Sequence, residues 1–377
     1  MVCRSQLSVL DGPSRSVENG GYLMIDSFSV KNFRCFEDVN LQNLRRVNVI
    51  VGKNAAGKTA LLEAVRLALG ATPQVAFQLN NYRGVSGAFG PGMAREQFEA
   101  LWNSLFFKFD TTRVLSTEVT DSSGHVASLA IRFDPSRAIT PTQLPHVQTT
   151  STFVPIQFDR TTFAGEHSVL FGTVLPQGQL SLEPGVELGL ATEFFASSWV
   201  LNQQLNAQWF SQLSLENREK EVVSAIKKEF DPLILDVQIL SLSQFVPASV
   251  YATVPFVQMK MPLSLLSAGI TKFFSLLAAI IYRKGGVVLI DEVENGLYYE
   301  RLPALWTTLL KLAKENDTQL FVSTHSDECL QALVPLIKEN EDDFMLLRAE
   351  RKNGSSGIAQ FGGDEFEAAL ARHGEVR

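Results

Sequence analysis

At 377 residues, with 45% hydrophobic and 19% charged side chains, the chain has enough apolar surface for a core, which excludes an intrinsically disordered protein. A formal net charge of −7 excludes a surface that is basic all over, although a local basic groove is compatible with it. Cys3, Cys35 and Cys329 lie too far apart for a zinc or disulfide spacing, which suits a reducing compartment.

Residues 1–23 are polar and rich in Gly and Ser, and read as a flexible extension. The codons of Gly20-Gly21 can also resemble a ribosome-binding site just upstream of Met24, so two readings stand side by side: a tail belonging to the protein, or a native start at Met24. No secretory signal is visible in this stretch. Ile25–Val30 alternates like a strand, and Val47–Val51 is a short apolar strand. The latter runs into Gly52-Lys53-Asn54-Ala55-Ala56-Gly57-Lys58-Thr59, which fits G-x-x-x-x-G-K-[ST], and then into a helix over Thr59–Leu69. In that context Gly52, Asn54, Ala55, Ala56, Gly57, Lys58, Thr59 and Ala60 are expected to surround nucleotide phosphates with backbone N–H groups and a helix N-terminus. Lys58 is expected to reach the β- and γ-phosphates, and the Thr59 hydroxyl to ligate Mg²⁺. The bland alternative is a Gly-rich turn before an ordinary helix.

Residues 75–110 predict a Gly-rich loop and a helical stretch through Trp102–Phe107. Residues 111–190 predict antiparallel strands, with Val114–Val119 and Val126–Phe133 flanking a turn at Asp121–Gly124 and a Pro- and Thr-rich connector after them. Residues 192–230 read as helical, ending in a charged, solvated face over Glu216–Lys228. The last third alternates: helix Gly269–Tyr282, strand Val287–Ile290, helix Tyr299–Glu315, strand Gln319–Ser323, helix Ser326–Lys338, then strand Gly357–Phe361 and a closing helix Glu365–Arg372. Such alternation predicts a mainly parallel sheet with helices on its faces. The apolar stretch from Phe273 stops at Arg283-Lys284, short of the roughly 18–20 residues a membrane helix needs, so it reads as a buried helix.

Two acids end the strand Val287–Ile290. Asp291 is expected to hold Mg²⁺, and Glu292 to orient or deprotonate the attacking water. Without the phosphate loop upstream, an apolar strand ending in Asp-Glu would read as a plain strand end. His325, after the next strand, is expected to sense the γ-phosphate; alone it would read as structural. Leu266-Ser267-Ala268-Gly269 opens a helix about twenty residues before Asp291 and offers either a second anion site or an ordinary N-cap.

These pieces, in this order, resemble the ABC-type ATPases of the SMC, RecF and OLD kind, and in particular the bacterial AAA family ATPases related to OLD nucleases and to antiphage ATPases of the Gabija, Septu and PARIS systems. The residues that carry the likeness are Asn32-Phe33-Arg34-Cys35-Phe36, the phosphate loop, Leu266–Gly269, Asp291-Glu292-Val293-Glu294-Asn295-Gly296-Leu297-Tyr298 and Thr324-His325-Ser326. The resemblance implies an α/β P-loop NTPase fold of ABC type, with a mainly parallel core sheet, an antiparallel β subdomain and a helical lobe. It implies one ATPase domain over 24–377, with the phosphate loop and antiparallel lobe in 24–190 and the signature lobe in 191–377. It implies ATP and Mg²⁺ as cofactors and a homo-oligomer, dimeric or higher, in which Ser267 and Gly269 contact the γ-phosphate bound to the other protomer. It further implies that Glu294–Gly296 crosses that interface. Lys58, Glu292 and His325 form the expected catalytic set.

The sequence departs from the pattern in places. The signature is Leu-Ser-Ala-Gly, where transporters have Leu-Ser-Gly-Gly-Gln, and the glutamine loop has no clear place. Gln157 is a weak candidate that reads more simply as a strand residue. No heptad stretch supports SMC-like coiled-coil arms. About fifty residues follow His325, too few for a Toprim nuclease domain. The reading that follows is a cytoplasmic ATP-driven switch that controls a partner effector, a nuclease or toxin, in antiphage defence or DNA repair, with DNA as a further candidate partner and no membrane. The alternatives are the ATP-binding subunit of a membrane transporter and an ATP-dependent scaffold with little turnover.

Overall fold

The computed structural model describes residues 24–85, 94–140, 152–175, 179–197, 203–230, 233–243, 245–255, 257–352, 354–363 and 365–366. In chain order, strands β1 (Ile25–Phe33), β2 (Phe36–Leu41) and β3 (Val47–Val51) precede helices α1 (Lys58–Gly70), α2 (Pro73–Tyr82) and α3 (Arg95–Asn103). Then come β4 (Leu115–Asp121), β5 (Val126–Phe133), β6 (Ile156–Thr161), β7 (His167–Val174), β8 (Leu180–Leu182) and β9 (Thr192–Phe195). Helices α4 (Gln203–Leu215) and α5 (Glu219–Ala225) lead to β10 (Asp236–Leu240), β11 (Ser249–Thr253), β12 (Met261–Pro262), α6 (Leu263–Leu266) and α7 (Ala268–Tyr282). The chain continues through β13 (Val287–Ile290), α8 (Leu302–Glu315), β14 (Gln319–Ser323), α9 (Asp327–Glu339), β15 (Phe344–Lys352) and β16 (Ser355–Gly362).

The central sheet has the order β16-β15-β3-β14-β13-β9, and every pair in it is parallel except β15 with β16. Strands covered on both faces read as near-continuous apolar runs: β13 is apolar throughout, and β3 and β14, which carry the buried polar side chains Asn48, Gln319 and Ser323, are likewise buried at every position. Alternate residues nonetheless serve different cores. Val49, Val288, Ile290, Leu320 and Val322 pack with α7, α8 and α9. Ile50, Val287, Leu289, Phe321 and Leu347 pack with α1, α2 and the second sheet.

That second sheet is antiparallel throughout, in the order β2-β1-β4-β5-β6-β7-β8. The buried amide of Gln319 ties it to the central sheet: Nε2 donates to the carbonyls of Ile25 and Arg45, both at 2.9 Å, and Oε1 accepts from Ile25 N–H at 2.8 Å. A small sheet β10-β11-β12 completes the helical side through Val237, Val250 and Ala252, which join Trp209 and Phe210 in one core. The fold is an α/β P-loop NTPase of ABC type: a mainly parallel sheet with an antiparallel sheet on one side and helices on the other.

Several expectations need correction. Residues 192–195 are not helical but form β9, a parallel edge strand beside β13. Glu193 within it pairs with Arg283 at 3.1 Å. Helix α2 has no counterpart in the sequence reading, although Thr72 caps it by accepting from Val75 N–H and Pro73 stands in its first turn. The helix expected through Trp102–Phe107 ends at Asn103, and Lys108 and Phe109 take positive φ values of 52° and 60°. The extension 1–23, most of the Gly-rich loop and of the Pro/Thr connector, and nearly all of the closing helix Glu365–Arg372 lie outside the described residues.

Behind the phosphate loop, α1 carries a buried carboxylate. Glu63 is 1% exposed, accepts from Arg83 Nε and Nη2 at 2.8 and 2.9 Å, and pairs with Arg34 Nε at 2.8 Å. Arg34 is largely covered, and desolvation lowers its pKa against the pull of Glu63. Glu63→Ala leaves that guanidinium without a counter-charge and is expected to cost about 3 kcal/mol in a urea unfolding titration. A change below about 1 kcal/mol would show that the pair adds no more than an exposed one.

Candidate nucleotide-binding site

The loop Gly52–Gly57 leaves the C-terminal end of β3, where parallel sheets gather their ligands. Its curvature comes from positive φ at Gly52 (140°), Ala55 (61°) and Gly57 (116°). Two of these positions require glycine on steric grounds as well. A Cβ at Gly52 would lie 2.4 Å from the Ala349 carbonyl oxygen, and one at Gly57 would lie 3.0 Å from the Phe36 ring and 3.1 Å from Cys35 Sγ. The β1–β2 turn is therefore the wall behind the loop, and Asn32 secures it by donating to the carbonyls of Asp110 and Arg113.

Helix α1 begins with no side-chain cap and no acid in its first turn, so its leading N–H groups are free to bind an anion. Lys58 folds back over the loop, donating to the carbonyls of Gly52 at 2.7 Å and Lys53 at 3.3 Å. Burial lowers its pKa, opposed by Glu292, Asp291 and Glu294. A curved run of backbone N–H groups, an uncapped helix start and an ammonium fit a polyphosphate. Between Gly52–Asn54 and the Thr324–His325 turn, a cavity of about 360 Å³ opens.

Asp291, 2% exposed at the end of β13, faces this loop. The Thr59 hydroxyl lies 3.1 and 3.0 Å from its two carboxylate oxygens, and Ser323 Oγ donates to Oδ1 at 2.6 Å. A hydroxyl beside a carboxylate is the donor set of a hard divalent cation that takes its remaining ligands from phosphate and water. Among the described residues no group of three or more His, Cys, Asp and Glu could hold a metal by itself. Thr59 and Asp291 thus fit Mg²⁺ only as part of a nucleotide complex.

Glu292 follows in a left-handed conformation, φ 50°, with its N–H donating to Ser323 Oγ at 2.9 Å and its carboxylate accepting from Asn295 Nδ2. His325 sits next to this group: Nδ1 is 3.0 Å from Glu294 Oε1 and 3.8 Å from Glu292 Oε1, and its backbone N–H donates to Glu294 Oε1 at 2.9 Å. Lys58, Thr59, Asp291, Glu292 and His325, scattered over 268 positions of the sequence from Lys58 to His325, converge at one end of the central sheet.

Ser267 and Gly269 make their contacts within their own chain, at the start of α7. Ser267 caps α7, its Oγ accepting from Ile270 N–H at 3.0 Å. Gly269 lies against the turn after Glu292, where a Cβ would come 2.6 Å from the Gly296 carbonyl oxygen. Gln157 lies in β6, paired with Arg132 and Phe171 in the antiparallel sheet, and this is the strand position its sequence suggested. The chain segment that reaches the end of the central sheet beside Asp291 is instead the one leaving β9, where Phe195 O accepts from Asp291 N–H at 2.8 Å.

Sequence reasoning missed Lys272. Its Nζ donates to the carbonyls of Glu292 at 2.7 Å and Asn295 at 3.1 Å. Burial pushes its ammonium down to about 8, against the pull of Glu294, Glu292 and Asp291. The available signal was a lone charge in the otherwise uncharged helix Ala268–Tyr282.

A protein of Helicobacter pylori named "ATP/GTP phosphatase" is 23% identical over 347 residues, covering 84% of this chain and 90% of that protein. Shorter stretches match an OLD nuclease of Thermus scotoductus, 51% identical over 47 residues (12% of this chain, 9% of that protein), and a DNA replication and repair protein RecF of Bacillus cytotoxicus, 49% identical over 43 residues (11% and 12%). An SMC head bound to the C-winged helix domain of ScpA aligns over 90% of this chain and 97% of that one, at 12% identity and a TM-score of 0.46. The model of the family AAA_21, described as "AAA domain, putative AbiEii toxin, Type IV TA system", matches residues 47–330, a span that begins at β3 and contains the phosphate loop, the Asp291-Glu292 pair and His325. The chain belongs to the AAA_21 family of ATPase domains.

Proposed function

We propose that this chain binds Mg·ATP at the Gly52–Ala60 loop and hydrolyses it only when a second copy closes the site. The carrying observation is the Thr59–Asp291–Ser323 cluster beside Lys58, with Glu292 held next to it by a left-handed turn. Lys58 binds the β- and γ-phosphates as an ammonium. Thr59 and Asp291 hold Mg²⁺, which supplies charge neutralisation at the phosphate oxygens when bound. Glu292 orients the attacking water and takes its proton, and His325, steadied by Glu294, contacts the γ-phosphate side. Ser267, which caps α7, and Gly269, which packs against the Gly296 carbonyl, face the nucleotide of the second copy.

On this reading residues 24–377 form one ATPase domain, with residues 1–23 as an extension, in a cytoplasmic homo-oligomer. The effector resides on a partner chain, a nuclease or toxin acting in antiphage defence or DNA repair, and DNA is a candidate contact. The toxin–antitoxin description of the family and the nuclease and repair names of the short matches support that direction. Among the described residues no helix is long and apolar enough to cross a membrane.

The test uses Ser267→Asp. Aspartate keeps the N-cap of α7 but sets a negative charge against the partner's γ-phosphate. Nucleotide binding is expected to persist, the ATP-dependent dimer to vanish in light scattering, and turnover to fall by about tenfold or more, some 1.4 kcal/mol of transition-state stabilisation. Full hydrolysis by a demonstrably monomeric protein would contradict the two-copy site.

A further inference from the structure

We propose that Lys272 is a positioning residue: by holding the backbone carbonyls of Glu292 and Asn295, it fixes the turn that aims Glu292 and ties that turn to the helix beginning at Ser267. The inference deepens the ATPase reading and rests on it for the consequence in turnover, but its structural claim stands separately.

Three observations carry it. First, the turn is strained and needs support. Glu292 is not glycine yet adopts φ 50°, and such a conformation persists only where its surroundings over-determine it. Its carbonyl accepts from Asn295 N–H at 3.0 Å and from Lys272 Nζ at 2.7 Å, so both lone pairs are engaged. The same ammonium reaches the Asn295 carbonyl at 3.1 Å, clamping the turn at its first and fourth residues.

Second, α7 grips the turn twice. Lys272 lies three residues beyond Gly269, on the same face of the helix. Gly269 is the point where backbone approaches backbone, with room for no Cβ beside the Gly296 carbonyl oxygen. A shift of the α7 N-terminus must therefore move the turn bearing Glu292, or break both contacts. A displacement of the α7 N-terminus is thereby passed to the turn that aims Glu292.

Third, the other flank of the turn is already anchored. Glu292 N–H donates to Ser323 Oγ, Val293 N–H to Ser323 O, and Glu294 Oε1 accepts from His325 N–H. Lys272 supplies the side-chain anchor on the helix side. A lysine in a helix whose other residues are uncharged is retained there by the carbonyls it binds and by Glu294, Glu292 and Asp291 around it.

The decisive experiment is hydrogen–deuterium exchange on the nucleotide-free chain, comparing wild type with Lys272→Met and Lys272→Arg. In Lys272→Met the peptide over Glu292–Leu297 is expected to exchange about tenfold faster, with the β13 peptide unchanged. Lys272→Arg, which can still donate to both carbonyls, is expected to restore most of the protection. In the same set kcat of Lys272→Met is expected to fall about 10²-fold, with KM for ATP within about twofold, because the defect is one of aim. Wild-type exchange over Glu292–Leu297 in Lys272→Met overturns the proposal, as does a lost kcat that arginine does not recover at all. Exchange is read without nucleotide, so a wild-type chain that hydrolysed no ATP would sink the ATPase reading and leave the role of Lys272 to be decided by the exchange data. If Lys272→Met loses protection throughout the molecule, Lys272→Gln against Lys272→Arg decides. The turn must be looser in the glutamine variant, and equal protection overturns the proposal.

Discussion

Glu292→Gln should leave ATP bound and nearly stop its hydrolysis. The substitution preserves size, and the side-chain oxygen that accepts from Asn295 Nδ2 remains available, so the turn keeps its shape. The backbone anchors of residue 292, N–H to Ser323 Oγ and carbonyl to Lys272, do not involve the carboxylate. What disappears is the group that can accept a proton from water beside the γ-phosphate, and general-base steps contribute about 10²–10⁴-fold in rate. Single-turnover hydrolysis of γ-labelled ATP, run next to an equilibrium binding titration, separates the two quantities. The expected result is wild-type affinity with turnover reduced across that range, and an ATP-bound dimer that persists long enough to be weighed. Near-normal turnover would move the base to Glu294 or His325, which share the same hydrogen-bonded group.

The second large effect is expected at Lys58. Lys58→Ala removes an ammonium that lies folded on the carbonyls of Gly52 and Lys53, inside the curve of the phosphate loop. A charge-assisted hydrogen bond contributes about 1.5–3 kcal/mol, and here its loss also leaves Asp291, Glu292 and Glu294 facing a polyanion without that counter-charge. The affinity for ATP should drop by about a hundredfold or more. Thermal unfolding should stay close to wild type, because the neighbouring glycine conformations and α1 do not depend on the side chain. Titration with a fluorescent ATP analogue checks the first statement, and circular dichroism the second. Unchanged affinity would remove the phosphate-binding role from this loop.

The two substitutions fail in different ways, and this makes them informative together. One should weaken binding and the other only turnover. Ser267→Asp should abolish neither binding nor folding, only assembly with its turnover. A chain that behaved as an ATP-dependent scaffold would show the Lys58 effect and the assembly effect but none at Glu292.

What the sequence by itself determined follows from how locally each feature is encoded. The phosphate loop is eight consecutive residues, Gly52–Thr59, legible as one stretch, while the contacts with Ala349, Phe36 and Cys35 that exclude a Cβ at its two glycines come from elsewhere in the chain. The buried strands β3, β13 and β14 announce themselves because burial on both faces makes them mostly apolar, interrupted only by the buried Asn48, Gln319 and Ser323. Asp291 and Glu292 were legible as the end of such a strand, and β5 was read to its exact limits, Val126–Phe133, because its alternation is clean. Strand β9 was not legible: four residues with a charge in the middle carry no period, and only pairing with β13 makes them a strand. Helix α2 carries a local signal, the Thr72 cap followed by Pro73, yet falls where the sequence reading has a Gly-rich loop. Tertiary structure alone decided that Glu63 meets Arg34 and Arg83, that Ser323 bridges Asp291 to Glu292, and that Lys272 holds the turn carrying Glu292. These are contacts between side chains and groups far apart in the chain, and they arise from how helices and strands pack. A motif records the residues that share one stretch of backbone. It cannot record a lysine twenty residues upstream whose partners are bare carbonyls, because every residue in the protein has one.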